Sequence, residues 1–368
     1  MQTYENIEAT ARKPGGSEAV KGDSWVPALL KRYRVMAVLV LLPVIAVVIS
    51  FSMGRYSIPV NEVIQLLFSK LTGSDAAAGA IPSAIETVIF KVRIPRIAAA
   101  MLVGSALSVS GASYQGLFKN PMVSPDILGA SAGAGFGAAL GILLSLGIAG
   151  IQLASFLFGL AAVGLTFLLS SIIGRNNNAL LVLVLTGMVV STLFSSFISI
   201  TKYLADPYSK LPAITFWLMG GLNSISMADV RMIAIPITIG MVPLLLLRWK
   251  LNVLSFGEEE AKALGIETGR LRAVIIICST LLTAASVSVC GMIGWIGLII
   301  PHLARMLVGP NYKVLLPASF LAGSTFLLLV DDVARSAFPL EIPLGILTSI
   351  IGAPFFIYLL LRGKRGWI

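Results

Sequence analysis

The sequence predicts an all-α fold, a polytopic membrane protein with about ten transmembrane helices packed as one bundle, and three observations lead to this prediction. Apolar residues make up 57% of the 368 residues, and the mean hydropathy is +0.93. Only 12% of the residues are charged, whereas soluble domains carry about a quarter. Apolar runs of about 20 residues recur, each long enough to cross a hydrocarbon core. A soluble globule, a disordered or collagen-like chain and a disulfide scaffold are excluded.

The spans can be placed in order along the chain. Residues 1–30 are predicted to be a polar, disordered cytoplasmic tail, and residues 31–368 a single transmembrane domain. The first apolar run is too long for the hydrophobic region of a cleaved signal peptide. The eighth span is short and contains Pro301, which is typical of a broken helix inside a bundle. The predicted spans are 35–53, 97–118, 127–146, 152–174, 179–200, 230–247, 273–293, 294–308, 314–334 and 344–361.

Basic residues predict the orientation of this bundle. An even number of spans places both termini on one side of the membrane. If that side is cytoplasmic, it carries 18 of the 27 Lys and Arg residues. This excess follows the positive-inside rule, so both termini are predicted to be cytoplasmic. The net charge of +10 is accounted for by topology, and nucleic acid is not expected as a partner.

Some basic residues on the opposite, outer side break the rule. Lys91, Arg93 and Arg96 directly precede the second span, where positive charge is disfavoured. Either the topology differs there or these residues bind an acidic partner. Arg335 is predicted on the same side, about one helical turn from Asp331 and Asp332. A local ion-pair network and a docking point for an acidic partner both explain that group.

The longest cytoplasmic loop, 248–272, is predicted to contain a short helix near residues 256–265. Ser255 and Glu258 have the spacing of a capping box, and further glutamates follow at the positive end of the helix dipole. Gly265 is placed to end the helix. Its apolar residues could rest on the bilayer or the bundle, or dock on another subunit.

The fifth span has a polar face. Ser191, Ser195 and Ser199 recur every four residues and therefore share one side of a helix. Helix packing and a wetted pathway both explain such a face. The span lacks a central carboxylate or lysine, which argues against a proton relay or a sodium-coupled site.

The chain contains one sequence pattern typical of a catalytic site and lacks another. Residues 129–133 fit the G-x-S-x-G pattern, with Ser131 as the nucleophile and His302 as the single histidine available as a base. Small residues continue past this motif into a span, so an intramembrane serine hydrolase is a weak alternative. The chain contains no G-x-x-x-x-G-K-[ST] motif, so nucleotide hydrolysis would require a partner.

Cys278 and Cys290 are predicted to be free and buried, and the sequence indicates no metal site.

Ordered sequence blocks run through both halves of the chain. They lie at residues 92–96, 102–104, 110–111, 115, 120–121, 124–129, 131–134, 261–265, 297–302, 305, 331–335, 341–345 and 352–356. Together they resemble the FecCD-type permeases of ATP-driven importers for iron-siderophores, haem and vitamin B12. The resemblance covers about residues 55–362 and leaves the polar tail outside the family pattern.

The resemblance implies a vitamin B12 importer permease-like fold and a permease function with no catalysis by this chain. It implies a second permease subunit, taken as a homodimer, together with two cytoplasmic ATPase subunits and an outer substrate-binding protein. ATP-Mg would bind to the ATPase partners, and this chain would hold no cofactor. The expected location is a bacterial or archaeal cytoplasmic membrane.

The resemblance also implies roles for particular residues. It implies that the binding protein docks on Arg93, Arg96 and Arg335. It implies an ATPase coupling element comprising Phe256, Gly257, Glu258, Glu259, Ala261, Leu264 and Gly265. It implies a pathway along Ser191, Ser195 and Ser199, with an inner gate around Asn176, Asn177 and Asn178. His302 would be structural.

The substrate expected from the resemblance is an iron chelate, either siderophore or haem, or cobalamin. An oxyanion such as molybdate also remains open. An ion-coupled secondary carrier that works without an ATPase is the alternative function of a different class.

Overall fold

The computed structural model describes residues 25–54, 58–72, 83–174, 179–337 and 339–363. Regular structure within these ranges is entirely helical, which confirms the predicted all-α class. One π-helix, Val88–Arg93, and one 3-10 helix, Pro125–Leu128, accompany the α-helices. The α-helices are α1 Trp25–Ser52, α2 Val60–Thr72, α3 Ser83–Thr87, α4 Ile94–Leu117, α5 Ala130–Leu143, α6 Ile148–Ile173, α7 Ala179–Leu204, α8 Lys210–Met219, α9 Met227–Leu246, α10 Arg248–Phe256, α11 Glu258–Ala263, α12 Thr268–Cys290, α13 Ile296–Val308, α14 Tyr312–Ser336 and α15 Leu344–Gly363.

In the part of the chain that the structure describes, ten apolar helical segments correspond to the ten predicted spans. Seven of them are long and apolar enough to cross a membrane, and α5, α13 and α15 contribute three shorter apolar segments. The short eighth span is α13, which contains Pro301 and buries most of its first two turns. Helices α2, α8, α10 and α11 were not predicted as spans and connect them.

The first helix begins earlier than predicted. α1 starts at Trp25, ahead of the basic residues Lys31, Arg32 and Arg34, whereas the predicted span starts at residue 35. Lysine and arginine have high helix propensity, so the charged segment continues the helix instead of ending it. Residues 1–24 of the predicted tail lie outside the described residues.

The second span also begins earlier than the predicted residue 97. Helix α3, the π-helix and α4 run without interruption, so Arg93 and Arg96 lie within a helix. Pro95 does not interrupt this run, although its ring removes an N–H donor and crowds the preceding turn. The π-helix directly ahead of Pro95 has a wider turn, which accommodates the proline within one continuous run.

The third predicted span, 127–146, is divided. The 3-10 helix ends at Leu128, Gly129 adopts a φ of +89°, and α5 begins at Ala130. This left-handed conformation strongly favours glycine and breaks the helical path. The remaining α5 has 14 residues, too few to cross a full hydrocarbon core alone.

Helix α4 occupies the centre of the bundle, packed against α9, α12, α13 and α14. Small residues permit its closest contacts. A Cβ atom on Gly104 would lie 2.2 Å from the carbonyl oxygen of Gly323, and one on Gly111 would lie 1.8 Å from that of Gly297. Such close backbone approach is typical of helix packing in membranes. Cys278 and Cys290 are free and buried in this core, as predicted.

Candidate functional site

The outer arginine cluster, defined as Arg93, Arg96 and Arg335, lies at the end of the bundle that is predicted to face outward. The π-helix contributes Arg93, the first turn of α4 contributes Arg96, and the last turn of α14 contributes Arg335. Their exposed fractions are only 2%, 5% and 6%. Helical spacing brings Arg93 and Arg96 together, and packing of α14 against α4 brings in Arg335.

Arg96 binds two carboxylates inside the chain. Its Nε lies 2.8 Å from Oδ2 of Asp331, and its Nη2 lies 2.9 Å from Oδ1 of the same residue. Its Nη1 lies 3.0 Å from Oε2 of Glu341. The paired contact with Asp331 has the bidentate geometry that favours arginine over lysine. These contacts join α4 to α14 and to the segment ahead of α15.

Arg335 and Arg93 connect the same region to the end of α1. The Nη2 of Arg335 donates to the carbonyl oxygen of Ser50 at 2.7 Å and also pairs with Asp332. The Ser50 hydroxyl donates to Asp332 at 2.7 Å. Arg93 donates to the carbonyl oxygen of Phe51. Sequence reasoning missed Ser50 because nothing in its local pattern distinguishes it from a serine near the end of a span.

The local ion-pair network that the sequence predicted around Arg335 is therefore present, and it extends to Arg96. Docking of an acidic partner on the outer arginine cluster stays a prediction. The guanidinium groups are covered in this conformation, so direct contact with a partner requires the outer end to rearrange.

The predicted cytoplasmic helix near 256–265 is divided in the structure. α10 ends at Phe256 and α11 begins at Glu258, with Gly257 between them. The predicted capping box is wrong, because Ser255 lies in the last turn of α10 and its hydroxyl donates to the carbonyl of Asn252 at 2.6 Å. A serine inside a helix bonds back to the preceding turn and cannot cap the next helix.

Gly265 ends α11 as predicted. Its φ is +75°, its N–H donates to the carbonyl of Lys262 at 2.9 Å, and the N–H of Ile266 donates to that of Ala261 at 2.9 Å. This pair of bonds forms a Schellman motif, which satisfies carbonyls at the end of the helix.

The segment from Phe256 to Gly265, which we call the coupling segment, has an outward apolar surface. Phe256 is 79% exposed and Leu264 is 63% exposed, whereas Ala261 is fully buried. Glu258 pairs with Arg272 at the start of α12 and so fixes α11 to a membrane span. Two exposed apolar side chains, one on each side of the short, anchored helix α11, form a surface suited to contact with another protein.

The polar face of the fifth span is present on α7. Ser195 and Ser199 are exposed, and their hydroxyls donate to carbonyls four residues earlier at 2.8 and 3.0 Å. Ser191 is partly buried. The serines are thus satisfied within their own helix. A role in the pathway stays a prediction, and Asn176, Asn177 and Asn178 of the predicted gate lie outside the described residues.

The G-x-S-x-G residues do not form a hydrolase elbow. Ser131 lies in the first turn of α5, which follows a 3-10 helix, whereas the elbow requires a strand before the turn. Its hydroxyl donates to the carboxylate of Asp126. Sequence reasoning missed Asp126, which was read only as part of a family block. The short spacing of Asp126 and Ser131 on either side of Gly129 is the sequence feature that could have indicated this hydrogen bond.

Comparisons with known proteins identify relatives of the whole chain. The model of the family described as the FecCD transport family matches residues 41–362. The chain is 44% identical over 333 residues to a molybdate import system permease protein of Haemophilus influenzae, covering 90% of this chain and 97% of that protein. It is 40% identical over 282 residues to a Helicobacter pylori permease named for iron chelatin transport, covering 77% and 85%.

A solved structure gives the same result at the level of the fold. It is described as an inward-facing ABC transporter of the metal-chelate type, and it is 42% identical in sequence. Its TM-score is 0.79, and the match covers 89% of this chain and 99% of the other.

Proposed function

Since the chain belongs to the FecCD transport family and is an ABC importer permease, we propose that it moves its substrate by ATP-driven alternating access. In this proposal two copies of the chain enclose a central pathway, two ATPase subunits bind on the cytoplasmic side, and a substrate-binding protein docks outside. ATP closes the ATPases, and that motion tilts the permeases so that the pathway opens on alternate sides. The location is the cytoplasmic membrane, with both termini inside.

The coupling segment is the observation that carries this proposal. Its exposed Phe256 and Leu264 provide an apolar contact for a groove on the ATPase, and the ion pair between Glu258 and Arg272 connects α11 to α12. Helix α12 packs against the central helix α4. A displacement of α11 by the ATPase would therefore reach the centre of the bundle through direct contacts.

Docking on the outer arginine cluster completes the proposal on the other side. Acidic residues of the binding protein would compete with Asp331, Asp332 and Glu341 for the three guanidinium groups. Such an exchange replaces one set of ion pairs by another, so the net cost of uncovering the arginines stays small. The exchange would also loosen contacts among α1, α4 and α14 at the moment when substrate arrives.

The substrate in this proposal is an iron chelate, siderophore or haem, or cobalamin. Molybdate is the second candidate, favoured by the 44% identity to the Haemophilus influenzae molybdate permease over 97% of its length. Selection among these compounds would take place mainly on the binding protein.

Reconstitution tests the function. Proteoliposomes containing the chain, its ATPase and its binding protein should accumulate substrate only when ATP is present in the compartment with the ATPase. A proton ionophore should leave uptake unchanged. Uptake by the chain alone, driven by an ion gradient, would instead establish the secondary carrier.

The substrate is tested in the same vesicles with radiolabelled ferric siderophore, haem, cobalamin and molybdate, each supplied with the binding protein. Saturable uptake of one of the first three supports the proposed substrate. Uptake of molybdate alone would contradict it and select the second candidate.

The docking assignment is tested by reversing charge at Arg93 and Arg96. Arg93→Glu with Arg96→Glu should abolish stimulation of ATPase activity by the binding protein. The control is Arg231→Glu, which reverses an exposed charge at the start of α9, on the predicted outer side but outside the outer arginine cluster. Basal ATPase activity of the assembled complex shows whether each variant folds, and unaltered stimulation in a folded double variant would refute the assignment.

A further inference from the structure

A pocket of about 540 Å³, lined by both polar and apolar residues, opens on the side of the bundle predicted to be cytoplasmic. It lies where the last turns of α4, α10 and α13 meet the first turn of α14. The polar and charged side chains that line the pocket are those of Gln115, Lys119, Ser255, Arg305 and Tyr312. None of them belongs to the outer arginine cluster or to the polar face of α7.

The charge of the pocket is positive and uncompensated. Lys119 and Arg305 line it, and the lining contains no carboxylate among the described residues. Arg305 has no ion pair within the described ranges, whereas the three outer arginines all have acidic groups beside them. Two cations that line one pocket without a carboxylate beside them attract an anion.

Arg305 is also incompletely hydrogen-bonded. Its Nη2 donates to Oε1 of Gln115 at 3.2 Å and to the hydroxyl of Tyr312 at 3.4 Å. Its Nε is buried and has no hydrogen-bond partner in the part of the chain that the structure describes. A buried charged N–H without an acceptor is costly, and an anion beside the accessible part of the same guanidinium would offset part of that cost through its charge.

We propose that this pocket binds a phosphate-type oxyanion, either the headgroup of an anionic phospholipid or a free tetrahedral oxyanion. A guanidinium fork and an ammonium group are the usual partners of phosphate, and the hydroxyl of Tyr312, which accepts from Arg305, has its own proton free to donate. Basic pockets between helix ends on the cytoplasmic side are typical sites for phospholipid headgroups. The volume exceeds that of a simple oxyanion and leaves room for the rest of a headgroup.

The position of Ser255 gives the bound anion a mechanical effect. Ser255 is next to Phe256, the first residue of the coupling segment, whereas Gln115 and Arg305 belong to central helices. An anion that contacts all three would connect the coupling segment to α4 and α13. Its presence would stiffen the α10–α11 junction on which the ATPase is proposed to act.

Binding can be measured on the purified full-length chain in lipid-free detergent. The probes are dihexanoyl phosphatidic acid, inorganic phosphate and, as the matched neutral lipid, dihexanoyl glycerol. Isothermal titration should detect phosphatidic acid or phosphate and no binding of dihexanoyl glycerol. Binding of phosphatidic acid alone identifies a lipid site, and equal binding of inorganic phosphate identifies a free-oxyanion site; both support the proposal.

Variants test whether the pocket is the site. Lys119→Gln and Arg305→Gln should each weaken binding roughly tenfold, because each removes a charge-assisted hydrogen bond. The control is Lys250→Gln, which removes an exposed charge on α10 outside the pocket lining and should leave binding unchanged. Lys119 is exposed, so its variant keeps the test valid even if the Arg305 variant does not fold.

Three results would overturn the proposal. They are no binding of either anionic probe, equal binding by the Lys119 variant and the parent, and loss of binding in the Lys250 control. If the parent binds neither probe but Lys119→Gln weakens association with the ATPase, the pocket receives an acidic side chain of that partner instead.

Discussion

Arg96 is held between two carboxylates in a nearly water-free position, and this makes its environment different from that of a surface arginine. Asp331 receives a bidentate contact, and Glu341 occupies the remaining Nη1. Removing one partner from such a group leaves a charge that neither water nor another side chain fully compensates. The stability of the outer end therefore depends on the complete set of contacts.

Replacing one of these carboxylates tests that dependence. Asp331→Asn should lower the free energy of unfolding by about 3–5 kcal/mol, because it breaks a buried pair. The control is Arg270→Gln, which removes an exposed pair with Glu267 and should cost less than about 1 kcal/mol. Denaturant unfolding of both variants in the same detergent measures the difference, and equal stabilities would show that the buried pair contributes little.

At the scale of the element, α11 depends on the residue that ends it. A side chain at Gly265 would meet no neighbouring atom, so only its left-handed backbone opposes substitution. Gly269 also has open space but lies in the first turn of α12 without a positive φ. Because neither position is crowded, comparing substitutions at the two glycines isolates the effect of the backbone conformation.

Gly265→Ala should destabilise the end of α11 by about 1–2 kcal/mol, whereas Gly269→Ala should be neutral or slightly stabilising. If the coupling segment transmits ATPase motion, the first variant should also reduce the substrate transported per ATP hydrolysed. Amide hydrogen exchange at Leu264–Ile266 together with vesicle transport measures both effects. Unchanged exchange in Gly265→Ala would contradict the assigned cap.

The close contact between Gly111 of α4 and the backbone of Gly297 in α13 leads to a second prediction at the scale of the element. Gly111→Ala should prevent stable folding or displace α13, because its Cβ would lie 1.8 Å from a backbone oxygen that cannot move independently. Gly164→Ala in α6 meets no atom within 4 Å and serves as the control. Thermal unfolding followed by size-exclusion chromatography distinguishes them, and a stable, monodisperse Gly111→Ala protein would refute the close approach.

At the scale of the whole molecule, α6 and α7 both expose long surfaces that a single chain leaves uncovered. In the proposed assembly these surfaces would differ, because α7 would line the pathway and α6 would contact lipid. Cysteine labelling in the assembled importer distinguishes the two environments.

Ser195→Cys should react with a charged, membrane-impermeant maleimide, whereas Leu157→Cys on α6 should not, although both positions are exposed in one chain. The native Cys278 and Cys290 are buried and give the background, which the unsubstituted protein measures. Equal labelling of both variants would argue against a wetted pathway along α7.

The number of spans could be predicted because an apolar run is recognised from the residue types within it, without knowledge of contacts to other helices. The boundaries depended on local backbone features: a π-helix extends the second span ahead of Pro95, and Gly129 breaks the helical path inside an apolar run. The contact between Arg335 and Asp332 follows from spacing in one helix, but that between Arg96 and Asp331 joins residues 235 positions apart. Spacing does not encode such a contact, and the same holds for the pocket around Arg305.

That separation of 235 positions also has a consequence for biosynthesis. At about 5–20 residues per second, a ribosome needs roughly 10–50 seconds to proceed from α4 to α14. During this time α4 is already made, while the carboxylate that balances Arg96 has not been translated. A chain that stops before α14 leaves that charge uncompensated. Completion of the bundle, rather than insertion of its helices one by one, is therefore the step that makes α4 stable.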